Sequence, residues 1–128
     1  LSPRGKKVVI RSFRQGSGKT FLCEVLLVKF ALTKKCDSVF ITPVLKQAAQ
    51  TFTDIVNASK SLIKTANRSS YEISFVNGSR IFFRSAESDD SIRGLTCSGV
   101  MICDEAAFIT IRWLKYIKLQ LFLLVHLW

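Results

Sequence analysis

The sequence carries two short stretches whose residue types suit phosphate chemistry, and the first of them is residues 13–20. This stretch reads FRQGSGKT and follows a short apolar run. Backbone N–H groups of a glycine-rich turn that opens a helix converge on one spot and bind an anion, which the helix dipole also favours. Lys19 would add a positive charge for the β- and γ-phosphates of a nucleotide, and the Thr20 hydroxyl would bind Mg²⁺. Residues 13–20 therefore predict a phosphate-binding loop.

One position of this loop departs from the pattern G-x-x-x-x-G-K-S/T. Phe13 stands where the first glycine is expected, so only the Gly-Lys-Thr half is intact. A Gly-Ser-Gly turn before a helix also occurs in ordinary loops. The loop alone therefore leaves both interpretations open.

The second stretch is Asp104-Glu105, which follows the apolar run of residues 100–103. The aspartate would hold Mg²⁺, and the glutamate would polarise the water that attacks the γ-phosphate. We expect both at the carboxyl end of a strand beside the strand of the phosphate loop, since ligands of open parallel sheets bind there. A solvated strand end would look the same, but the pairing with Gly-Lys-Thr favours a nucleotide site.

The elements that must position these residues are readable from the hydrophobic pattern. Residues 6–12 predict a buried strand, and residues 19–33 predict a helix that is apolar on nearly every side. A second strand is predicted at residues 38–42, and Pro43 ends it. A second helix is predicted at residues 44–63.

After the second predicted helix, apolar and polar residues alternate with a period of two, which indicates a β-hairpin. Residues 71–75 and 80–84 alternate on either side of Asn77-Gly78, a dipeptide typical of tight turns. Residues 85–93 predict a loop or a short helix, and residues 100–103 predict a further strand.

The tail, residues 109–128, is apolar but too often interrupted by basic residues to span a bilayer. It predicts a core or edge element of the domain, with an interfacial membrane helix as the alternative. There are no internal repeats.

Composition narrows the class of protein and its partners. A length of 128 residues predicts one domain, and 19 basic against 9 acidic residues give a net charge of +10. Such a charge favours a polyanionic partner (nucleic acid, nucleotide or anionic membrane), although a basic surface without a partner remains an alternative.

The four cysteines form no CxxC pair, and a zinc site is not expected. Cys23 and Cys103 lie in apolar runs and predict small buried side chains, which suits a reduced compartment inside a cell. The sequence begins without Met or a signal peptide, and we expect a fragment that starts within a longer protein.

Five stretches, in this order, resemble the ATPase domain of the large terminase subunit, the DNA-packaging motor of tailed phages and herpesviruses. They are Arg14-Gln15 in the phosphate loop, Thr42-Pro43 followed by Gln47, Asn77-Gly78-Ser79-Arg80-Ile81, Ser91-Ile92-Arg93-Gly94, and Asp104-Glu105-Ala106-Ala107-Phe108. That family commonly lacks the first glycine, which accounts for Phe13. The spacing from Arg-Gly to Asp-Glu is the more specific part.

The resemblance implies a fold and its extent. The fold would be α/β, a P-loop NTPase of the ASCE or RecA-like type: an incomplete three-layer sandwich with a mostly parallel central sheet and a β-hairpin insertion. Residues 5–109 would form a partial terminase-type ATPase domain. Residues 110–128 would be an atypical hydrophobic tail that does not resemble the family, with a frameshift or truncated reading frame as its origin.

The resemblance also implies a set of site residues. ATP would be bound by the loop residues Arg14, Gln15, Gly16, Ser17, Gly18, Lys19 and Thr20. Thr20 and Asp104 would hold Mg²⁺, and Glu105 would be the catalytic glutamate.

Two arginines complete that set. Arg14 resembles the loop arginine that reaches the γ-phosphate in cis, although Gln15 holds the position where the family usually has it. Arg93 resembles an arginine that acts on the ATP of a neighbouring subunit. The alternatives are a surface role for Arg14, and a salt bridge from Arg93 to Asp89 or Asp90.

The function that this resemblance implies is ATP hydrolysis coupled to translocation of double-stranded DNA into a procapsid. The partners would be double-stranded DNA and, in the full protein, a homo-oligomeric ring, the small terminase subunit and the portal. No membrane is expected, and the location would be the host cytoplasm. The alternatives are a helicase-like P-loop DNA translocase and an inactive, truncated prophage remnant.

Overall fold

The fold is an α/β arrangement built on one mixed sheet of seven strands. The computed structural model describes residues 6–10, 19–85, 97–104 and 121–125. The strands are β1 (Lys6–Ile10), β2 (Asp37–Thr42), β3 (Ile63–Asn67), β4 (Glu72–Phe75), β5 (Arg80–Ser85), β6 (Val100–Asp104) and β7 (Leu121–Val125). The helices are α1 (Lys19–Thr33) and α2 (Leu45–Ala58), followed by a 3₁₀ turn at Lys60–Leu62.

The strand order across the sheet is β1-β7-β6-β2-β5-β4-β3. The first five strands in this order run parallel to their neighbours, whereas β4 and β3 are antiparallel additions at one edge. The sheet is therefore mostly parallel, with the hairpin strands extending it, as the sequence predicts.

Both helices pack on the same face of the sheet. Buried residues of α1 and α2 meet strand residues that alternate along β2, β4, β5 and β6. Phe52 of α2 lies at the centre, edge-on to Phe83 at 5.4 Å and to Tyr71 at 5.3 Å between ring centroids. Such aromatic contacts add about 0.5–1.5 kcal/mol each beyond the area they bury.

The opposite face of the sheet is buried as well. Val39, Phe82, Met101 and Cys103 are at most 7% exposed. Burial on both faces is the rule for parallel strands and explains their continuous apolar runs. Cys23 and Cys103 are both buried, as predicted.

The hairpin forms at the predicted place. The Gly78 N–H donates to the Phe75 carbonyl at 3.0 Å, and the Phe75 N–H donates to the Ser79 carbonyl at 2.8 Å. Gly78 has φ of +93°, a conformation that residues with a Cβ rarely adopt. The Asn-Gly dipeptide is therefore required by the turn itself.

The prediction for the second helix was wrong at its C-terminal end. The helix stops at Ala58 rather than continuing to residue 63, and Ile63–Asn67 forms strand β3. β3 pairs antiparallel with β4 at the edge of the sheet, and four of its five residues are exposed. An edge strand with a mostly polar sequence leaves no alternating pattern to detect.

The prediction that the Asp104 strand lies beside the phosphate-loop strand was also wrong. β7, which comes from the tail, lies between β1 and β6 and pairs in parallel with both. Its five residues are all apolar, which suits an interior strand of a parallel sheet. Residues 121–125 of the tail thus supply a strand of the sheet's interior. Among the described residues, no helix is long and apolar enough to cross a membrane.

Candidate nucleotide site

The carboxyl ends of the five parallel strands form one edge of the sheet, called here the carboxyl edge. Asp104 is the last residue of β6, and Ile10 is the last residue of β1. Both are in register with Val125, the last residue of β7. Because neighbouring strands lie about 4.8 Å apart, the Cα atoms of Ile10 and Asp104 are separated by about 10 Å.

Helix α1 begins at this same edge, as its other end shows. The Ala31 carbonyl near the C-terminus of α1 accepts hydrogen bonds from Asn77 Nδ2 at 2.7 Å and from Ser79 Oγ at 2.6 Å. Ser79 directly precedes β5, so α1 ends at the amino edge, the opposite edge of the sheet. Fifteen helical residues span about 22 Å, which equals the length of a six-residue strand. The N-terminus of α1 is therefore at the carboxyl edge.

This arrangement brings a helix N-terminus and a strand ending in aspartate to one side of the sheet. The first N–H groups of an α-helix have no partner within the helix, and they carry a partial positive charge. Residues 11–18 join β1 to α1 in the sequence. The backbone at this edge is therefore suited to bind an anion. The strand that ends in Asp104, β6, lies two strands away from β1 in the sheet.

The predicted site residues fall into two groups. Lys19 and Thr20 are the first two residues of α1, and Asp104 is the last residue of β6, so their backbone lies at the carboxyl edge. The others lie outside the described residues: Arg14, Gln15, Gly16, Ser17, Gly18, Arg93 and Glu105. The roles assigned to all ten stay predictions.

Two further polar residues lie at the carboxyl edge and were not assigned to the site. Thr42 ends β2 and is paired in register with Ser85, which ends β5. The Thr42 hydroxyl donates to the Val44 carbonyl at 2.6 Å, and the Ser85 hydroxyl donates to the Pro43 carbonyl at 3.3 Å. These bonds fix the junction from β2 to α2, whose Thr-Pro sequence was the detectable signal.

The amino edge carries a denser set of hydrogen bonds, centred on Ser79. The buried Ser79 hydroxyl lies 2.6 Å from the Ala31 carbonyl and 3.1 Å from the Lys34 carbonyl, and it accepts the Cys36 N–H at 3.1 Å. It thereby joins the end of α1 to the starts of β2 and β5. One hydroxyl thus contacts three backbone groups, of which the buried Cys36 N–H has it as acceptor.

A second serine pair closes the start of β6 onto β2. The Asp37 N–H donates to Ser98 Oγ at 2.9 Å, and the Val100 N–H donates to Ser38 Oγ at 3.1 Å. Nearby, burial raises the pKa of the Cys97 thiol to about 12. A thiol with this pKa stays protonated near neutral pH and is a poor nucleophile. The amino edge is therefore structural in character.

No metal cluster occurs among the side chains that the structure describes, in the sense of three or more His, Cys, Asp or Glu residues close together. The predicted magnesium site is of another kind. It would use one hydroxyl and one carboxylate of the protein, and nucleotide phosphates would supply further oxygens.

Comparison with known proteins identifies the family. Residues 14–112 match the family described as "Terminase large subunit, T4likevirus-type, N-terminal". The chain belongs to this terminase family. The matched segment contains every predicted site residue from Arg14 to Glu105, and it confirms the resemblance read from the sequence.

Solved terminase structures share the fold. Two structures of the Thermus phage P74-26 large terminase ATPase domain, one of them a point mutant, superpose with a TM-score of 0.63 at 17% and 16% identity. Each match covers 98% of this chain and 60% of the solved chain. A large terminase from a thermophilic bacteriophage gives a TM-score of 0.57 at 15% identity, covering 95% of this chain and 34% of that one.

The chain thus spans about 60% of the solved ATPase domains that it resembles. At these identities the likeness concerns the fold. No curated protein matches the sequence.

Proposed function

We propose that this terminase segment binds ATP with Mg²⁺ at the carboxyl edge and forms part of the ATP-hydrolysing motor that packages double-stranded DNA. The observation that carries the proposal is the meeting of two backbone features at one edge: the N-terminus of α1 and the Asp104 end of β6. Membership of the terminase family favours this function over that of a helicase-like translocase.

In this proposal the loop before α1 binds the nucleotide phosphates. Backbone N–H groups of residues 16–20 would donate to phosphate oxygens, and the Lys19 ammonium would contact the β- and γ-phosphates. The Thr20 hydroxyl and the Asp104 carboxylate would hold Mg²⁺, which neutralises charge on the phosphates when bound. β7 lies between β1 and β6, so their carboxyl ends are about 10 Å apart along the edge at which the phosphates would bind.

Hydrolysis would use the residue after Asp104. The Glu105 carboxylate would take a proton from a water molecule whose oxygen forms a bond to the γ-phosphorus. The bond from that phosphorus to the bridging oxygen breaks, and the electron pair stays with ADP. Arg14 or Gln15 would contact the γ-phosphate in cis, and Arg93 would stabilise negative charge on the ATP of a neighbouring subunit.

The remaining parts of the proposal concern partners. The net charge of +10 suits contact with the phosphate backbone of DNA, which needs no base-specific readout. A homo-oligomeric ring, the small terminase subunit and the portal would be the protein partners in the host cytoplasm.

Nucleotide affinity tests the proposal directly. We expect Lys19→Ala to weaken binding of Mg²⁺-ATP about 100-fold, because the phosphates lose their closest cation, equivalent to about 2.7 kcal/mol. Lys60→Ala is the matched control, because Lys60 is an exposed lysine in the 3₁₀ turn that follows α2, at the end of the helix away from the carboxyl edge. Equal affinity in wild type and Lys19→Ala would remove the phosphate-binding role.

ATP turnover separates the active motor segment from an inactive remnant. Binding together with measurable hydrolysis supports the catalytic part of the proposal. Binding without hydrolysis in this chain favours the inactive remnant, because the loop would then bind a nucleotide that it does not convert.

A further inference from the structure

A groove between α1 and α2 lies away from the nucleotide site, and we call it the α1–α2 groove. Its volume is about 440 Å³, and its walls are mostly apolar, with Val25 and Val28 from α1 and Ile55 and Ala58 from α2. Both helices run from the carboxyl edge towards the amino edge. The lining residues fall within 24–29 on one side and 54–59 on the other, so the groove runs for about 9 Å along the two helices.

The outer side of α1 is apolar although it faces solvent. Leu22, Val25 and Leu32 are 40%, 42% and 40% exposed, and their spacing places them on one side of the helix. A helix that is apolar on every side is normally covered on every side. Full burial of such a side chain is worth about 1.5–3 kcal/mol, so covering the exposed 40% of each would add about 0.6–1.2 kcal/mol, which favours a partner on this surface.

Two carboxylates face the same groove. Glu24 of α1 is hydrogen-bonded to Asp54 of α2, and Asp54 Oδ1 also accepts a hydrogen bond from Gln50 Nε2 at 2.9 Å. Lys29 lines the groove too. Within the described part of the chain, however, no lysine or arginine forms an ion pair with either carboxylate.

The electrostatics of this pair are unusual for a chain with a net charge of +10. Burial, and next the hydrogen bond and negative charge of Asp54, raise the pKa of Glu24 to about 7. Glu24 therefore carries a proton for part of the time near neutral pH. A cation placed between the two carboxylates would replace that proton, and an apolar wall surrounds the position it would take.

We propose that the α1–α2 groove docks an amphipathic helix of a protein partner, which covers Val25 and Val28 with apolar side chains and places one lysine or arginine against Glu24 and Asp54. Helix-in-groove recognition combines apolar anchors with fixed polar contacts in this way. Charge complementarity selects a cationic helix rather than a purely apolar one, because two facing carboxylates disfavour an uncharged cover. This interface goes beyond the nucleotide function and does not depend on it.

Two synthetic peptides test the charge requirement on the full chain. Both are 14-residue helical peptides with leucines along one face, and they differ only in a central lysine or norleucine beside that face. We expect the lysine peptide to bind at least about 10-fold more tightly at pH 8, which corresponds to 1.4 kcal/mol. The preference should fall at pH 6, because the proton on Glu24 then competes with the lysine. Equal affinities for the two peptides, binding of neither, or a preference that does not change with pH would overturn the proposal.

Variants locate the contact. Glu24→Gln should reduce the preference for lysine to below about 3-fold, whereas Glu72→Gln on β4, outside the groove, should leave it unchanged. Val25→Glu should weaken both peptides at least about 10-fold. This substitution tests the apolar wall of the groove separately, because it leaves Glu24 and Asp54 in place. Unchanged peptide binding in either groove variant would contradict the assignment. A wild-type dimer that Val25→Glu dissociates would also contradict it, because the groove would then bind a second copy of the chain.

Discussion

The two edges of the sheet use polar residues for different purposes. At the amino edge, the serine hydroxyls of Ser38, Ser79 and Ser98 are occupied by backbone groups of neighbouring elements. At the carboxyl edge, a helix N-terminus and the end of an Asp-bearing strand meet. The first arrangement uses its hydrogen bonds to hold elements together. The second places helix N–H groups, which have no partner within the helix, near an aspartate, and such N–H groups are what an anionic ligand requires.

The comparison shows why motif residues and packing residues separate in this fold. Parallel strands all end at the same edge, so catalytic residues from distant parts of the sequence collect there. The starts of the same strands collect at the other edge, where the chain must close onto α1 and onto the hairpin. Substitutions at the carboxyl edge should therefore change activity, and substitutions at the amino edge should change stability.

The largest effect is expected from Glu105→Gln. It removes the proposed proton acceptor and should lower kcat for ATP about 1,000-fold, while ATP affinity and the free energy of unfolding stay within error of wild type. Single-turnover hydrolysis and equilibrium binding measure the two quantities. If turnover is unchanged, Glu105 does not have this role; if the protein unfolds, the division between the two edges fails.

Gly99→Ala should give the largest loss of stability. A Cβ at this position would lie 2.4 Å from Ser38 Oγ and 2.8 Å from Cys36 Sγ, both in buried side chains. Relieving such overlap requires β2 and β6 to move apart, at a cost of about 3 kcal/mol. Chemical denaturation measures it.

Gly78→Ala is the matched control for that substitution. Its Cβ would meet only the flexible side chain of Lys35, so its cost should come from the positive φ alone, about 1 kcal/mol. An equal loss in both variants would show that space at Gly99 is not the limiting factor.

The sequence predicts some elements of the fold and site better than others, and the two edges differ in this respect. Residues 19–33 as a helix and Asn77-Gly78 as a turn were predictable because local pattern and turn chemistry agree with the final fold. The position of β7 was not, because five apolar residues specify a buried strand but not its neighbours. Strand order depends on contacts between residues far apart in the chain.

The serine hydrogen bonds of the amino edge could not be predicted from the sequence for a related reason. Nothing in the sequence marks Ser38, Ser79 and Ser98 as hydrogen-bond partners of other elements until β2, β5 and β6 are assembled beside one another. The motif residues of the carboxyl edge were recognisable one by one, since their types carry the chemistry. Of these, Lys19, Thr20 and Asp104 are placed at that edge by their backbone.

Ser79→Ala should cost about 2 kcal/mol, less than the crowding at Gly99. It leaves the Cys36 N–H without its hydrogen-bond partner in a buried setting, and it removes one of the two donors to the Ala31 carbonyl. Ser69→Ala at the exposed turn before β4 is the control and should change stability by less than about 0.5 kcal/mol. A loss below 1 kcal/mol in Ser79→Ala would mean that water replaces the hydroxyl.

The smallest effect is expected at the charged contact of the amino edge, the ion pair from Arg80 to Asp37. Arg80 Nη2 lies 2.8 Å from Asp37 Oδ2, and its guanidinium also lies 5.1 Å from the centre of the Phe82 ring. The Arg80 side chain is 47% exposed, so water and salt screen the attraction. Arg80→Ala should therefore cost only about 0.5 kcal/mol.

A double-mutant cycle with Asp37→Ala isolates the ion pair from the contact with Phe82. We expect the coupling free energy to shrink further in 1 M NaCl, where the Debye length is about 3 Å. A coupling above about 2 kcal/mol that persists in salt would mean that charge, rather than buried serine hydrogen bonds, holds this edge together. Ser79 would then lose its place as the main connection between α1, β2 and β5.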